Sequence, residues 1–196
     1  MATTELPLFP LSTVLFPGGQ LALRIFEPRY LDLVKRSARS GEGFGICLIL
    51  DGREAGEPAI PVALGTEAVI VDFAMTDDGL LGITVEGRRR FHVERTRVRD
   101  GGLLLGDVRW KPEPAPAALR DEHGLLSVLL ARILDKAGVE HDGVGKGALA
   151  DAANVAWRLA DWLPLAQPER QQLLQLDDPH DRLQWLVQRL PDFQPE

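Results

Sequence analysis

The sequence predicts an α+β fold: a small antiparallel β barrel with one inserted helix over residues 5–110, then a C-terminal helical bundle over residues 118–193. Three observations carry this. About six short extended segments fall within the first 110 residues, and one helical pattern interrupts them, which suits a barrel better than an alternating α/β sheet. Beyond residue 118 apolar residues recur at three and four instead of two. Between the two parts lies the Pro-rich segment 111–117, KPEPAPA, semi-rigid and extended by composition.

The chain opens with two extended stretches, residues 6–16 and 20–26, around Pro17-Gly18-Gly19. Proline pre-sets φ for the first corner of a tight turn and glycine supplies the positive φ of the second, so the two stretches are expected to form a hairpin. Pro7 and Pro10 cannot donate to a ladder, which puts the start of the first strand at an edge, at a bulge or outside the sheet. Residues 27–40 read as a helix, with Pro28 in the first turn, Glu27 at the positive end of the dipole and Gly41 past the end. Its expected apolar face is Tyr30, Leu31, Val34 and Ala38.

Residues 44–50 form a continuous apolar strand. A polar loop, DGREAGEPAIP, leads into extended structure over 61–75, with Gly65 as a bulge or corner. Thr76 to Gly79 is a turn by composition; two extended segments follow around Glu86-Gly87, and residues 103–110 close the β part.

In the helical part, residues 119–137 place Leu125, Leu126, Leu129, Leu130, Ile133 and Leu134 on a wide apolar face, ended by Gly138. Residues 148–163 repeat Leu149, Ala152, Ala156, Leu159 and Leu163, with Asp151, Asn154, Arg158 and Asp161 as the polar stripe. Two shorter helices follow, over 168–176 and 179–190, the last with Asp178 as N-cap and Leu183, Leu186, Val187 and Leu190 inward.

The opening series P-L-F-P-L-S-T-V-L-F-P-G-G and I-F-E-P-R-Y-L-D-L-V resembles the start of the N-terminal, substrate-binding domain of the Lon protease family. It is especially similar to free-standing bacterial members that lack the ATPase and peptidase domains. G-T-E-A, D-D-G and V-E-G-R-R-R-F continue the resemblance in order, and L-A-D-W-L-P-L-A-Q-P-E-R-Q-Q-L-L-Q-L-D-D-P-H-D-R-L extends it over almost the whole chain. The resemblance implies a PUA-like barrel followed by helices, and a non-catalytic module that helps select polypeptides. The Lon Ser-Lys peptidase dyad belongs to a domain not expected in this chain, so no proteolysis is implied.

Composition narrows the function classes. The 196 residues are 45% apolar, enough for a real core, and carry a formal charge of −7. The acid excess is uneven, with 15 acidic and 13 basic residues up to position 110 and 14 and 9 thereafter. An acidic chain gains little from counterion release, which disfavours generic nucleic-acid binding. The single cysteine, Cys47, lies in FGICLIL and reads as a buried thiol, excluding an intrachain disulfide and any multi-cysteine metal site. No membrane span or secretory leader is apparent, so the expected location is the cytoplasm; self-association is compatible with the sequence.

No complete catalytic constellation is present. GVGKGA lacks the glycine at 140 and the Ser or Thr at 147 that a phosphate loop around Gly145 and Lys146 needs. His92, His123, His141 and His180 have no paired metal spacing, and Ser12, Ser37, Ser40 and Ser127 lack a nucleophile elbow. Asp77-Asp78 and Asp177-Asp178 are explained by turn and cap chemistry. No catalytic residue, cofactor or metal is therefore expected. Two binding surfaces remain. One is apolar, around Phe9, Phe16, Phe26 and Tyr30 with Leu8, suited to an extended polypeptide if such residues share exposure. The other is the run Arg88, Arg89, Arg90, Arg95, Arg97 and Arg99; on a strand, Arg95, Arg97 and Arg99 share a face and would suit an RNA-binding alternative, unless neighbouring acids pair with them.

Overall fold

The structure, a computed structural model, describes residues 3–138 and 147–193. Its contacts divide the chain into two units, Met1–Pro112 and Glu113–Glu196. The first holds β1 (Thr4–Leu11), β2 (Gln20–Ile25), α1 (Pro28–Ser40), β3 (Phe44–Asp51), β4 (Ile60–Met75), β5 (Leu81–Val98) and β6 (Leu104–Trp110).

The six strands lie in the order β2-β5-β4-β3-β1-β6, and β5 also pairs with β6. Five strands thus close into a ring, and β2 hangs on β5 as an outer edge. The sheet is mixed instead of wholly antiparallel, because β1 runs parallel to β3.

The expected opening hairpin does not form. β1 pairs with β6 along residues 4–8 and with β3 along residues 8–11, whereas β2 pairs with β5. The Pro17-Gly18-Gly19 turn is real, but it docks elsewhere: Gly18 N donates to Gly87 O at 2.8 Å and Gly87 N to Gly19 O at 2.9 Å. Residues 14–16 are buried without strand pairing, so the chain crosses the core between its two strands. Each half of β1 has one ladder partner, and the two halves overlap only at Leu8. Pro7 and Pro10 therefore each sit where one side of the strand needs no donor.

β4 matches the expected 61–75 to one residue, whereas β5 is longer than the sequence suggests. The two segments expected around Glu86-Gly87 are one strand, with the register slipping between Thr66 and Ala68 of β4 and their partners Arg90 and Gly87. Slips of this kind re-aim a strand without ending it. Gly65 stands beside a register shift in the β3–β4 ladder, as expected of a bulge, and also permits close approach: a Cβ there would lie 2.4 Å from the Ile46 carbonyl oxygen.

α1 is capped at its far end by Gly41 in the left-handed region, φ 72°, and Pro28 stands in its first turn. Its inward residues are Tyr30, Leu33, Val34 and Ser37, so the buried face lies to one side of the expected one and Ala38 is exposed. Tyr30, Leu33 and Val34 join Phe9, Phe44, Ile83 and Val85 in the larger core cluster; Leu8, Cys47, Phe91 and Val108 belong to a second. Burial pushes the Cys47 thiol up to about 12, which makes it inert.

The second unit contains α2 (Gly124–Lys136), α3 (Ala152–Trp162), α4 (Gln167–Gln175) and α5 (Pro179–Arg189). α2 buries only Leu126, Leu130 and Leu134, a narrow stripe; Leu125 is 81% exposed. α3 starts later than expected, because Asp151 is its N-cap, accepting from Asn154 N at 2.8 Å. Asp178 caps α5 as expected, accepting from His180 N at 2.7 Å. Leu183 and Leu186 point inward, but Val187 faces solvent and the fully buried partner on that helix is Arg182. Its guanidinium stacks on Trp157 at 3.7 Å and donates to the carbonyls of Leu176 and Asp177, each at 3.0 Å. No described helix is long and apolar enough to cross a membrane.

Candidate functional site

Five apolar residues, Leu8, Phe9, Phe16, Phe26 and Tyr30, were candidates for a shared exposed surface, and only Phe26 reaches solvent, at 55%. Phe16 is fully buried, with its carbonyl oxygen against Gly87. Phe9 and Tyr30 are also buried and stack on each other, with ring centroids 3.8 Å apart. Burial pushes the Tyr30 hydroxyl up to about 12, so it stays neutral.

Phe9, Phe26 and Tyr30 nevertheless converge. They line a cavity of about 230 Å³ together with Leu11, Glu54 and the consecutive β2 residues Ala22, Leu23 and Arg24. Consecutive residues of a strand point to opposite faces, so a cavity touched by all three lies along the edge of the strand. One edge of β2 is taken by β5. The cavity therefore flanks the other edge, for which the described residues provide no partner strand.

The hydrogen-bonding phase of that edge follows from the register. Gly87 N donates to Gly19 O, and the uniform register continues as Gln20↔Glu86 to Ile25↔Leu81. Alternation makes Leu21, Leu23 and Ile25 the pairs bonded to β5, and it leaves the N–H and C=O groups of Ala22 and Arg24 on the open edge. Those two residues line the cavity. Its rim carries Glu54, whose carboxylate accepts from Ser12 N at 2.6 Å and also from the Ser12 hydroxyl.

The apolar surface extends further than sequence reasoning reached. Cross-strand register sets Leu23, Ile83 and Phe73 in one row, and Ile25, Leu81 and Met75 in the next. Directly opposed residues share a face, so the core side of the sheet runs outward to Phe73 and Met75, the latter 79% exposed. Their spacing of two beside the Asp77-Asp78 turn was the available signal. The turn itself is well made: Thr76 Oγ1 donates to Asp78 Oδ1 at 2.5 Å, and that bond, with Arg24 nearby, holds the Asp78 carboxyl below its ordinary range.

The arginine run is dispersed. Arg88 pairs with Glu86 at 3.1 Å, Arg89 pairs with Glu67 at 3.0 Å and stacks over Trp110 at 3.9 Å, and Arg90 is fully buried. Arg95 and Arg97 converge on Asp107, at 3.2 and 2.7 Å, and Arg97 also reaches Glu5. The hydrogen bond from Arg97 holds the Asp107 carboxyl below its ordinary range, and the same bond raises Arg97. Arg99 is separate and lines a different opening beside α1.

Two of the described histidines meet, and the third stands apart. His123 and His180 stack with Nδ1 atoms 3.4 Å apart, and His92 lies 3.5 Å from Glu94. Among the described residues no three His, Cys, Asp or Glu side chains converge on one point. His141 and the Gly145-Lys146 loop lie outside the described residues.

Comparison with known proteins gives this geometry a context. A solved structure described as a Lon N-terminal domain protein from Xanthomonas campestris is 47% identical, with 98% of this chain and 99% of that one covered and a TM-score of 0.79. The N-terminal domain of a Mycobacterium avium complex Lon protease shares the fold, with a TM-score of 0.71 at 21% identity over 97% of this chain and all of that one. The Lon protease of Cytophaga hutchinsonii is 24% identical over 192 residues, which is 93% of this chain but only 23% of that protein. Residues 5–191 match the substrate-binding domain of ATP-dependent protease La (LON), and the chain belongs to that family.

Proposed function

We propose that this chain is a non-catalytic polypeptide-recognition module of the cytoplasm that takes an extended segment onto the open edge of β2. The observation that carries the reading is the cavity along that edge, with Phe9 and Tyr30 as its floor and Phe26 at its mouth. An incoming strand would pair with the free N–H and C=O groups of Ala22 and Arg24. Main-chain bonds of this kind give affinity, and alternate side chains entering the cavity give selectivity for apolar residues. Phe73 and Met75 widen the apolar surface beyond what one side chain needs.

Membership of a substrate-binding domain family supports the polypeptide as ligand. The RNA alternative loses its surface, because Arg95 and Arg97 are already answered by Asp107 and Glu5. Fluorescence anisotropy with labelled, unfolded apolar peptides tests the reading. Saturable binding weakened by Phe26→Asp is expected. No binding up to high micromolar peptide would end it.

A further inference from the structure

On the other side of α1 from the core lies an opening of about 470 Å³ whose charge opposes that of the whole protein. Arg29, Asp32, Arg36 and Arg39 recur at three and four residues and so form one stripe of the helix, flanked by Lys35. The opposite wall is the β5–β6 turn with Arg99 and Asp100, and Pro28, Gly101 and Leu103 complete the lining. Five cations therefore face two carboxylates. Of the two acids, Asp32 is answered by Lys35 at 3.7 Å, whereas Arg36, Arg39 and Arg99 have no ion pair among the described residues.

The opening is also held in shape. Arg29 has a side chain only 6% exposed; its Nη2 pairs with Glu27 at 2.9 Å and its Nη1 donates to the Gly102 carbonyl at 3.1 Å. That bond fastens the β5–β6 turn to the first turn of α1. The turn is itself closed by Gly102 N donating to Arg99 O at 2.9 Å and Arg99 N to Leu103 O at 2.8 Å, with Gly101 and Gly102 at positive φ. Arg99 is thereby fixed across from the helix. The buried Nε of Arg29 has no acceptor, and with both Nη atoms engaged the guanidinium stands behind the lining as a fixed positive charge.

We propose that this groove receives the carboxylate side chains of an acidic stretch in the bound polypeptide; the inference rests on the polypeptide reading above and adds the chemical class of the segment. The groove is short, and screening in physiological salt confines its field to about 8 Å, so it acts independently of the protein's net charge. Two or three carboxylates fill it. A nucleic-acid backbone would carry its regularly spaced charges past the groove and onto a protein of net charge −7. The apolar part of the lining, Pro28 and Leu103, suits side chains interspersed with the acids. Phe26 of the β2 cavity and Pro28 of this groove are two residues apart, within about 7 Å of chain, so one segment can run from one site to the other.

The test uses two labelled peptides of identical apolar core, one with three Asp or Glu residues beside it and one with Asn or Gln at those positions, against the intact protein and its Arg36→Glu/Arg99→Glu variant. Both replaced side chains are exposed, and a thermal melt checks that the variant folds. At low salt the acidic peptide is expected to bind at least tenfold tighter than its amide twin, with the advantage shrinking in high salt and lost in the variant. Equal binding of the two peptides, or an advantage that survives the charge reversal, overturns this inference and leaves the edge-binding reading standing. If neither peptide binds, the polypeptide reading itself fails and this one falls with it. Binding of a single-stranded RNA probe that the variant loses, without binding of the acidic peptide, overturns it in favour of a phosphate ligand.

Discussion

The two halves of β5 (Leu81–Val98) are one strand with opposite fates. Residues 81–86 lie between β4 and β2, carry apolar side chains and lead to an edge where backbone groups remain free. Residues 91–98 lie against β6, carry Arg95 and Arg97 and look, by composition, like the interactive half. Register reverses that impression. The charged half is closed by β6 and answered by Asp107 and Glu5, whereas the apolar half leads to β2, whose outer edge has no partner strand among the described residues and flanks a cavity. A binding surface is defined by what is left without a partner, and sequence composition does not report partners.

Gly87 sits where the halves meet, so altering it should break the comparison most severely. A Cβ at this position would lie 2.2 Å from the Phe16 carbonyl oxygen, a backbone atom with nowhere to go. Gly87→Ala is expected to cost about 3 kcal/mol and to lower the melting temperature by about 10 °C or more, since overpacking against backbone is relieved only by moving the strand. Circular dichroism melts read this directly.

The open half should respond through binding instead of folding. Ala22→Pro removes one of the outward N–H groups of β2 while an edge strand tolerates proline. Affinity for an apolar peptide is expected to fall about tenfold, close to the 1.4 kcal/mol of one lost backbone hydrogen bond, with a smaller change in melting temperature. Phe26→Asp should weaken binding by a similar factor without destabilising the fold, because its ring is more than half exposed.

The closed half should give the smallest effect, one that fades in acid. The folded-state pKa of Asp107 is depressed by the bond from Arg97, so its contribution to stability is present above the ordinary carboxylate range and is lost as pH falls through the lowered value. Asp107→Asn is expected to lower stability slightly at pH 7, where that contribution is present, and to leave the acid limit nearly unchanged, so that the profile flattens. Urea melts at pH 7 and below pH 4 would show it.

What the sequence revealed divides along the same physical line. Local signals were readable: the turn at Thr76 to Gly79, the left-handed Gly41, the Asp178 cap and the change from β to helical periodicity all appear where expected. Pairing was not. Proline and glycine at 17–19 do make a turn, but whether flanking strands pair with each other is decided by Gly87, almost seventy residues away. Helix faces were read too widely for the same reason, since Leu125 and Val187 fit the apolar period and yet are exposed, whereas Arg182 is buried with Trp157 against it. Of the candidate site, Phe9, Phe26 and Tyr30 were found through their residue types, although two of them act as floor instead of exposed patch. The edge of β2 and the row through Phe73 depend on register, which residue types alone do not encode.

Amide hydrogen exchange of Ala22 and Arg24, followed with and without a saturating extended apolar peptide, addresses the central claim most directly. If a polypeptide adds a strand to β2, the open-edge amides exchange quickly in the free protein and become protected on binding, while Leu21, Leu23 and Ile25 are protected in both states. Peptide binding that leaves Ala22 and Arg24 exchanging as before would contradict the account.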